Sequence, residues 1–177
     1  MKLLLTILLL IRLVSSDEVM PIEIPLQGEA ADRSLEMSGL AWYGDYLILM
    51  PQYVNKKAPG FYFLSKKEIN GWLDGDRSKA LKPGKIDLIV PDYDNVIGGY
   101  QGFEGLCFSG NKIYLLMESK NDGVMYSYIV AGAMDFKKKR LEIEQGKIKQ
   151  ITPPMNIKNM GYESILKHKY RLLVLFE

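Results

Sequence analysis

The sequence predicts an all-β chain built as a repeat, a partial β-propeller, and three observations carry that expectation. First, three segments align without a gap: residues 38–52 (SGLAWYGDYLILMPQ), 104–118 (EGLCFSGNKIYLLME) and 163–177 (ESILKHKYRLLVLFE). Each opens on Ser or Glu, passes through Gly or Ser to an aliphatic residue, and closes on Gln or Glu fourteen positions after its first residue. Second, Gly44-Asp45 and Gly110-Asn111 stand midway in the first two copies, where a two-residue hairpin turn needs residues that tolerate positive φ. Third, the likeness continues outward. Gly60-Phe61-Tyr62-Phe63 matches Gly123-Val124-Met125-Tyr126, and Gly84-Lys85-Ile86 before Pro91 matches Gly146-Lys147-Ile148 before Pro153. The unit is four short strands, with openings 66 and 59 residues apart, as in a propeller blade. The competing architecture is a plain antiparallel sandwich. A sandwich has no reason to repeat a residue at both ends of each hairpin, whereas blades present equivalent positions to a common axis.

Along the chain, residues 1–16 (MKLLLTILLLIRLVSS) read as a signal peptide. Lys2 gives the positive start, Leu3 onward the apolar core, and Val14-Ser15-Ser16 the small-residue cleavage site. The apolar run is about half the ~20 residues a spanning helix needs. A secreted or periplasmic protein is expected, with no membrane segment after cleavage. Residues 17–177 form the propeller part. Within it, residues 20–27 (MPIEIPLQ) resemble a fourth-strand segment. The first four-stranded sheet is expected at 38–43, 46–51, 60–64 and 85–90, the second at 104–108, 112–117, 123–130 and 147–151. Between the third and fourth strands of the first, Ser65 and Glu68 form a capping box. Ile69, Trp72 and Leu73 follow at helical spacing, and Gly75 stops the helix. The third hairpin has Lys169-Tyr170 at its turn, a poor pair for a tight reversal. Two complete blades and half of a third are present, whereas closure takes at least four. The expectation is therefore the N-terminal part of a longer propeller, with its C-terminal half missing.

Composition bounds the chemistry. The chain has 177 residues, 47% hydrophobic and 25% charged, an ordinary globular balance. A formal net charge of +2 gives no basic face for nucleic acid. One cysteine, Cys107, permits no intrachain disulfide, and one histidine, His168, leaves no Cys/His zinc site. Carboxylate chemistry, hard oxygen-liganded ions and plain binding remain open.

The fourteen-residue spacing places the first residue of each hairpin opposite its last. Glu104 meets Glu118, Glu163 meets Glu177, and Ser38 and Gln52 take the same places in the first unit. On neighbouring inner strands these residues gather at one mouth of a central channel. Four carboxylates this close need a cation, a proton or a basic partner, and an oxygen-only ring suits Ca²⁺ or Mg²⁺. The equal alternative is structural: a Glu at the start of an inner strand can hold backbone amides of the next blade. Asp92, Asp94 and Asn95 read as a solvated connection, and residues 137–140 (KKKR) as a solvated basic loop. Cys107 reads as a buried small hydrophobe, His168 as exposed, and Trp42 and Tyr43 as core.

At residues 98–119 (GGYQGFEGLCFSGNKIYLLMES) the chain resembles the extracellular six-bladed propellers of the phytase-like group, "esterase-like activity of phytase". It is also similar to the SdiA-regulated propeller proteins. Both share a G-φ-E-G-φ opening and an L-φ-φ-E close. Residues 159–177 resemble the next such blade, and 36–52 the S-G-L-A opening. The resemblance implies an exported propeller, six-bladed when complete. For the phytase-like group it also implies hydrolysis of phosphate or carboxylic esters with calcium. Carried over by position, the channel carboxylates would be Glu104, Glu118, Glu163 and Glu177, with Ser38 and Gln52 as departures in the first blade. Two functions follow: a calcium-assisted esterase or phosphatase taking a small phosphate-ester ligand at the channel mouth, or an exported binding or scaffolding propeller with structural carboxylates. Catalytic residues are not assigned by either.

Overall fold

The computed structural model describes residues 20–54, 59–155, 157 and 160–177; the expected leader at 1–16 lies outside them. Ten strands appear among the described residues: β1 Met37–Tyr43, β2 Tyr46–Pro51, β3 Gly60–Ser65, β4 Gly84–Ile89, β5 Tyr100–Ser109, β6 Lys112–Asn121, β7 Val124–Asp135, β8 Arg140–Ile151, β9 Tyr162–His168 and β10 Arg171–Phe176. Two helices join them, α1 (Lys66–Asp74) and α2 (Tyr93–Val96). The chain is all-β, as its patterning predicts. Among the described residues no helix is long and apolar enough to cross a membrane.

Strands β1–β4 form one antiparallel meander and β5–β8 a second. The sequence predicts two separate sheets; the structure joins them into a single eight-stranded sheet of order β1-β2-β3-β4-β8-β7-β6-β5. The junction is a parallel ladder between β4 and β8, pairing Asp87 with Arg140, Leu88 with Leu141 and Ile89 with Glu142. It exists because β7 and β8 run past their expected ends. Residues 132–135 pair with 140–143 as an outer extension of that hairpin, set off by a register shift between Val130 and Gly132. The basic run is therefore the tip of a hairpin, exposed at Lys137, Lys138 and Arg140 as expected, with Lys139 turned inward. The Lys139 ammonium lies 3.3 Å from the Phe136 ring centre, 4.3 Å from that of Phe63 and 5.2 Å from that of Tyr46. Its carbonyl accepts from the Asp87 amide at 2.8 Å.

The two ends of the sheet, β1 and β5, come back together, so the sheet is nearly closed and barrel-like. Ser38 Oγ donates to the Phe103 carbonyl at 2.6 Å, and the Phe103 amide donates to the Gln52 carbonyl at 3.1 Å. Both faces of β2 and β6 are covered, which explains their unbroken apolar runs. Ile48 and Met50 face Ile113, Leu115 and Met117 across the main core, with Phe61, Phe103, Ile86 and Leu141. Leu49 turns the other way, into a smaller cluster under two 3-10 turns, Gly28–Ala31 and Arg33–Leu35. Leu116 and Cys107 turn away from the main core onto Ile165 of the β9–β10 hairpin. The order of layers is turns, first meander, second meander, hairpin.

Several local expectations hold. The α1 capping box forms, with Ser65 and Glu68 bonded reciprocally and Gly75 as C-cap. Cys107 is buried and His168 exposed. Others are corrected. Trp42 is 48% exposed, with Lys66 over its ring, because it lies on the face of β1 opposite Gly39 and Ala41. The Asp92 connection is a short helical turn that buries Tyr93 and Ile97. Residues 20–27 do not add a strand; Leu26 makes one parallel bridge to Leu81. Lys169 adopts φ 50°, and the third hairpin closes as tightly as the other two, His168 against Arg171.

Candidate functional site

Each hairpin carries a register shift at its opening residue. In β1 it falls between Met37 and Gly39, leaving Ser38 unpaired; in β5 between Phe103 and Gly105, leaving Glu104; in β9 at Glu163, between the pairs of Tyr162 and Ser164. A bulge turns the unpaired side chain away from the alternation of its strand. The aligned opening residues of the repeat are thus the residues that three equivalent bulges single out.

The bulges bring the acidic residues together. Glu104 and Glu118 are buried, while Glu163 and Glu177 stand closer to solvent. Burial, with the charges of Glu118 and Glu163 beside it, pushes the Glu104 carboxyl up to about 8, against the pull of its hydrogen bond from Gln52. Glu36 adds to this from the strand's approach. Burial, with Glu163 and Glu177, pushes Glu118 up to about 7. Partial burial and the charge of Glu177 raise Glu163. The four predicted carboxylates therefore share one electrostatic neighbourhood.

Their roles differ by unit. Gln52 Nε2 donates to Glu104 Oε1 at 2.7 Å, so the closing residue of the first unit holds the opening residue of the second. Ser38 is used in the same seam, through its bond to Phe103. Both are ties between β1, β2 and β5. In the next seam Glu118 replaces the amide of Gln52. A carboxylate cannot donate to Glu163, and Glu118 Oε1 is buried with no hydrogen-bond partner among the described residues. It lies against the backbone of Gly161, where an added Cβ would fall 1.6 Å from that oxygen. Gly102 stands in the same relation to Gln52, whose carbonyl would lie 2.8 Å from its Cβ. These glycines, two residues before each opening Glu, are seats for the closing residue of the preceding unit. The G-φ-E spacing held that signal. The bulges and Glu36 had none in the sequence.

Among the described residues no group of three or more His, Cys, Asp or Glu is disposed to hold a metal ion. His168 lies at the β9–β10 turn, at the opposite end of that hairpin from Glu163 and Glu177. No family model matches the chain, and no curated protein or solved structure matches it.

Proposed function

We propose that the chain is propeller-like and that the Glu118, Glu163 and Glu177 cluster takes a hard cation, Ca²⁺ being the ion best suited to carboxylate oxygens. What carries the proposal is the buried Glu118 oxygen, which has no hydrogen-bond partner among the described residues, at a position where the preceding seam has an amide donor. An ionised carboxylate so placed is costly without a cation or a proton. The carboxylates must draw inward to share an ion, which the solvent-open Glu163 and Glu177 allow. Support for the propeller reading is directional. Strands alternate within each meander, so parallel β4 and β8 make β1 and β5 run the same way, as inner strands of successive blades do. Glu104, satisfied by Gln52, is structural in this reading.

Thermal unfolding at pH 8.5 with millimolar Ca²⁺ tests it. Binding to the folded state alone adds RT ln(1 + [L]/Kd), about 2.7 kcal/mol at a hundredfold excess over Kd. Glu118→Gln should abolish that rise, yet be more stable than the parent without calcium, since it restores the donor of the first seam. No calcium response, together with a destabilised Glu118→Gln, returns the cluster to a structural role and leaves the scaffolding reading in front.

A second reading has its own observation. Glu104 keeps its proton at neutral pH beside the cluster, as a general acid must. The calcium-assisted ester or phosphate-ester hydrolase suggested by the phytase-like resemblance would use that proton on the leaving group. Calcium-dependent turnover of a nitrophenyl ester or phosphate that Glu104→Gln removes supports it; turnover unaffected by that change excludes this role for Glu104.

A further inference from the structure

The layers of the fold are joined by one packing arrangement used twice. In the first seam Ala41, Ile48 and Met50 pack with Leu106, Ile113 and Leu115. In the second, Cys107, Tyr114 and Leu116 pack with Ile165, Leu172 and Val174. By the repeat spacing these are the same positions, each moved on by one unit. The close approach is repeated as well. A Cβ added at Gly39 would fall 2.6 Å from a Leu106 methyl, and one added at the equivalent Gly105 would fall 3.3 Å from the Ile165 Cγ2. The series stops with two surfaces uncovered. Moved on once more, the first set of positions becomes Leu166, Leu173 and Leu175, all exposed on the outer face of β9 and β10. Moved back by one unit, the second set becomes Leu40, Leu47 and Leu49. Leu49 is buried under the 3-10 turns and Leu47 packs beside it, but Leu40 is 63% exposed. Trp42, also exposed, follows on the same face of β1, at the place of Phe108, which packs in the first seam.

We propose that the outer face of β9 and β10 in one molecule packs on the Leu40 and Trp42 face of β1 in a second copy of the chain, so that copies continue the stack head to tail. The partner is a second copy because each open face is the repeat equivalent of a face that the other's equivalent already covers inside the molecule. Burying exposed leucines and a tryptophan ring against one another removes apolar surface from water on both sides. Two different surfaces meet, so the contact is heterologous. It propagates as a ring or a filament and does not end at a symmetric pair. Ser164 stands where the inner seams have Gly39 and Gly105. Its added side chain holds the layers apart, which makes this seam the looser of the three, and concentration decides whether it forms.

The test is sedimentation of the purified chain and of two surface variants, in chelator so that the cation proposed above plays no part. The parent's mean mass should rise with concentration past that of a dimer. The first variant, Leu173→Lys with Leu175→Lys, loses the hairpin face and keeps the β1 face. The second, Leu40→Lys with Trp42→Lys, does the opposite. All four positions are exposed, and melting temperatures show that both variants are folded. Each variant alone should be monomeric. Mixed in equal amounts they should form a dimer and nothing larger, because one intact face of each kind remains, while the two lysine faces repel. A parent that stays monomeric at every concentration overturns the proposal. So does a second variant that still associates alone, which would mean that hairpin pairs with hairpin. A mixture that stays monomeric while the parent associates overturns it too.

Discussion

Glu104 and Glu118 are acids whose proton affinity rises on folding, and that sets a pH dependence. Free glutamate titrates near 4.5, whereas the folded chain holds Glu104 to about 8 and Glu118 to about 7. Between those limits the folded state binds more protons than the unfolded state. Stability then falls as pH rises. These two groups contribute nothing unfavourable below pH 4.5, a growing penalty from there to pH 8, and a constant penalty above. The melting temperature in chelator should decline over that window, and Glu118→Gln should flatten the part ending near pH 7. A profile that rises from pH 5 to 8 in the parent would contradict the burial of these carboxyls.

At the level of elements, the β7–β8 extension is the part held by unusual means. Its tip residue Lys139 has φ 51°, a left-handed conformation that a lysine adopts at a cost. What holds it there is the set of rings around its ammonium, with the Asp87 amide on its carbonyl. Cation–π contacts contribute about 0.5–2 kcal/mol depending on desolvation. Lys139→Ala should therefore destabilise the chain by about 1–2 kcal/mol and speed amide exchange at Asp87. Lys139→Arg should keep most of the contact. Unchanged exchange at Asp87 in the alanine variant would mean that the ladder to β4 stands without the cage. The α1 helix is held by ordinary means, its capping box and the buried Trp72, whose ring nitrogen donates to the Lys79 carbonyl at 2.7 Å.

For the whole molecule, the layered packing leaves one apolar stripe open. Leu172 and Val174 of the last hairpin pack on the Cys107 and Leu116 side, while Leu166, Leu173 and Leu175 on its other face are 53%, 47% and 65% exposed. Leu166 and Leu173 are direct cross-strand partners, so the stripe is continuous. Exposed contiguous apolar surface favours association. Light scattering should show concentration-dependent oligomers, and Leu173→Lys with Leu175→Lys should shift them to monomer. A parent that is monomeric at every concentration would show that this stripe is tolerated in water.

The sequence by itself determined where the strands lie, the first two hairpin turns and the capped helix, because each depends on local patterning: apolar runs closed at a fixed spacing, Gly-Asp and Gly-Asn reversals, and Ser65 with Glu68. It also determined which acids stand at equivalent positions, since the repeat spacing of Glu104, Glu118, Glu163 and Glu177 is a linear fact. The tertiary structure decided how the meanders meet. The β4–β8 ladder joins strands of different units, and no local pattern records that β7 and β8 overrun their unit. It decided the exposure of Trp42 and the burial of Tyr93, which depend on which face finds a neighbour. It also separated four carboxylates that look alike in sequence. Glu104 is satisfied by an amide from the preceding unit, and Glu118 is buried against Gly161 with an oxygen that finds no partner among the described residues. That difference arises only where two seams are compared in space, and it is the one on which the proposed cation site rests.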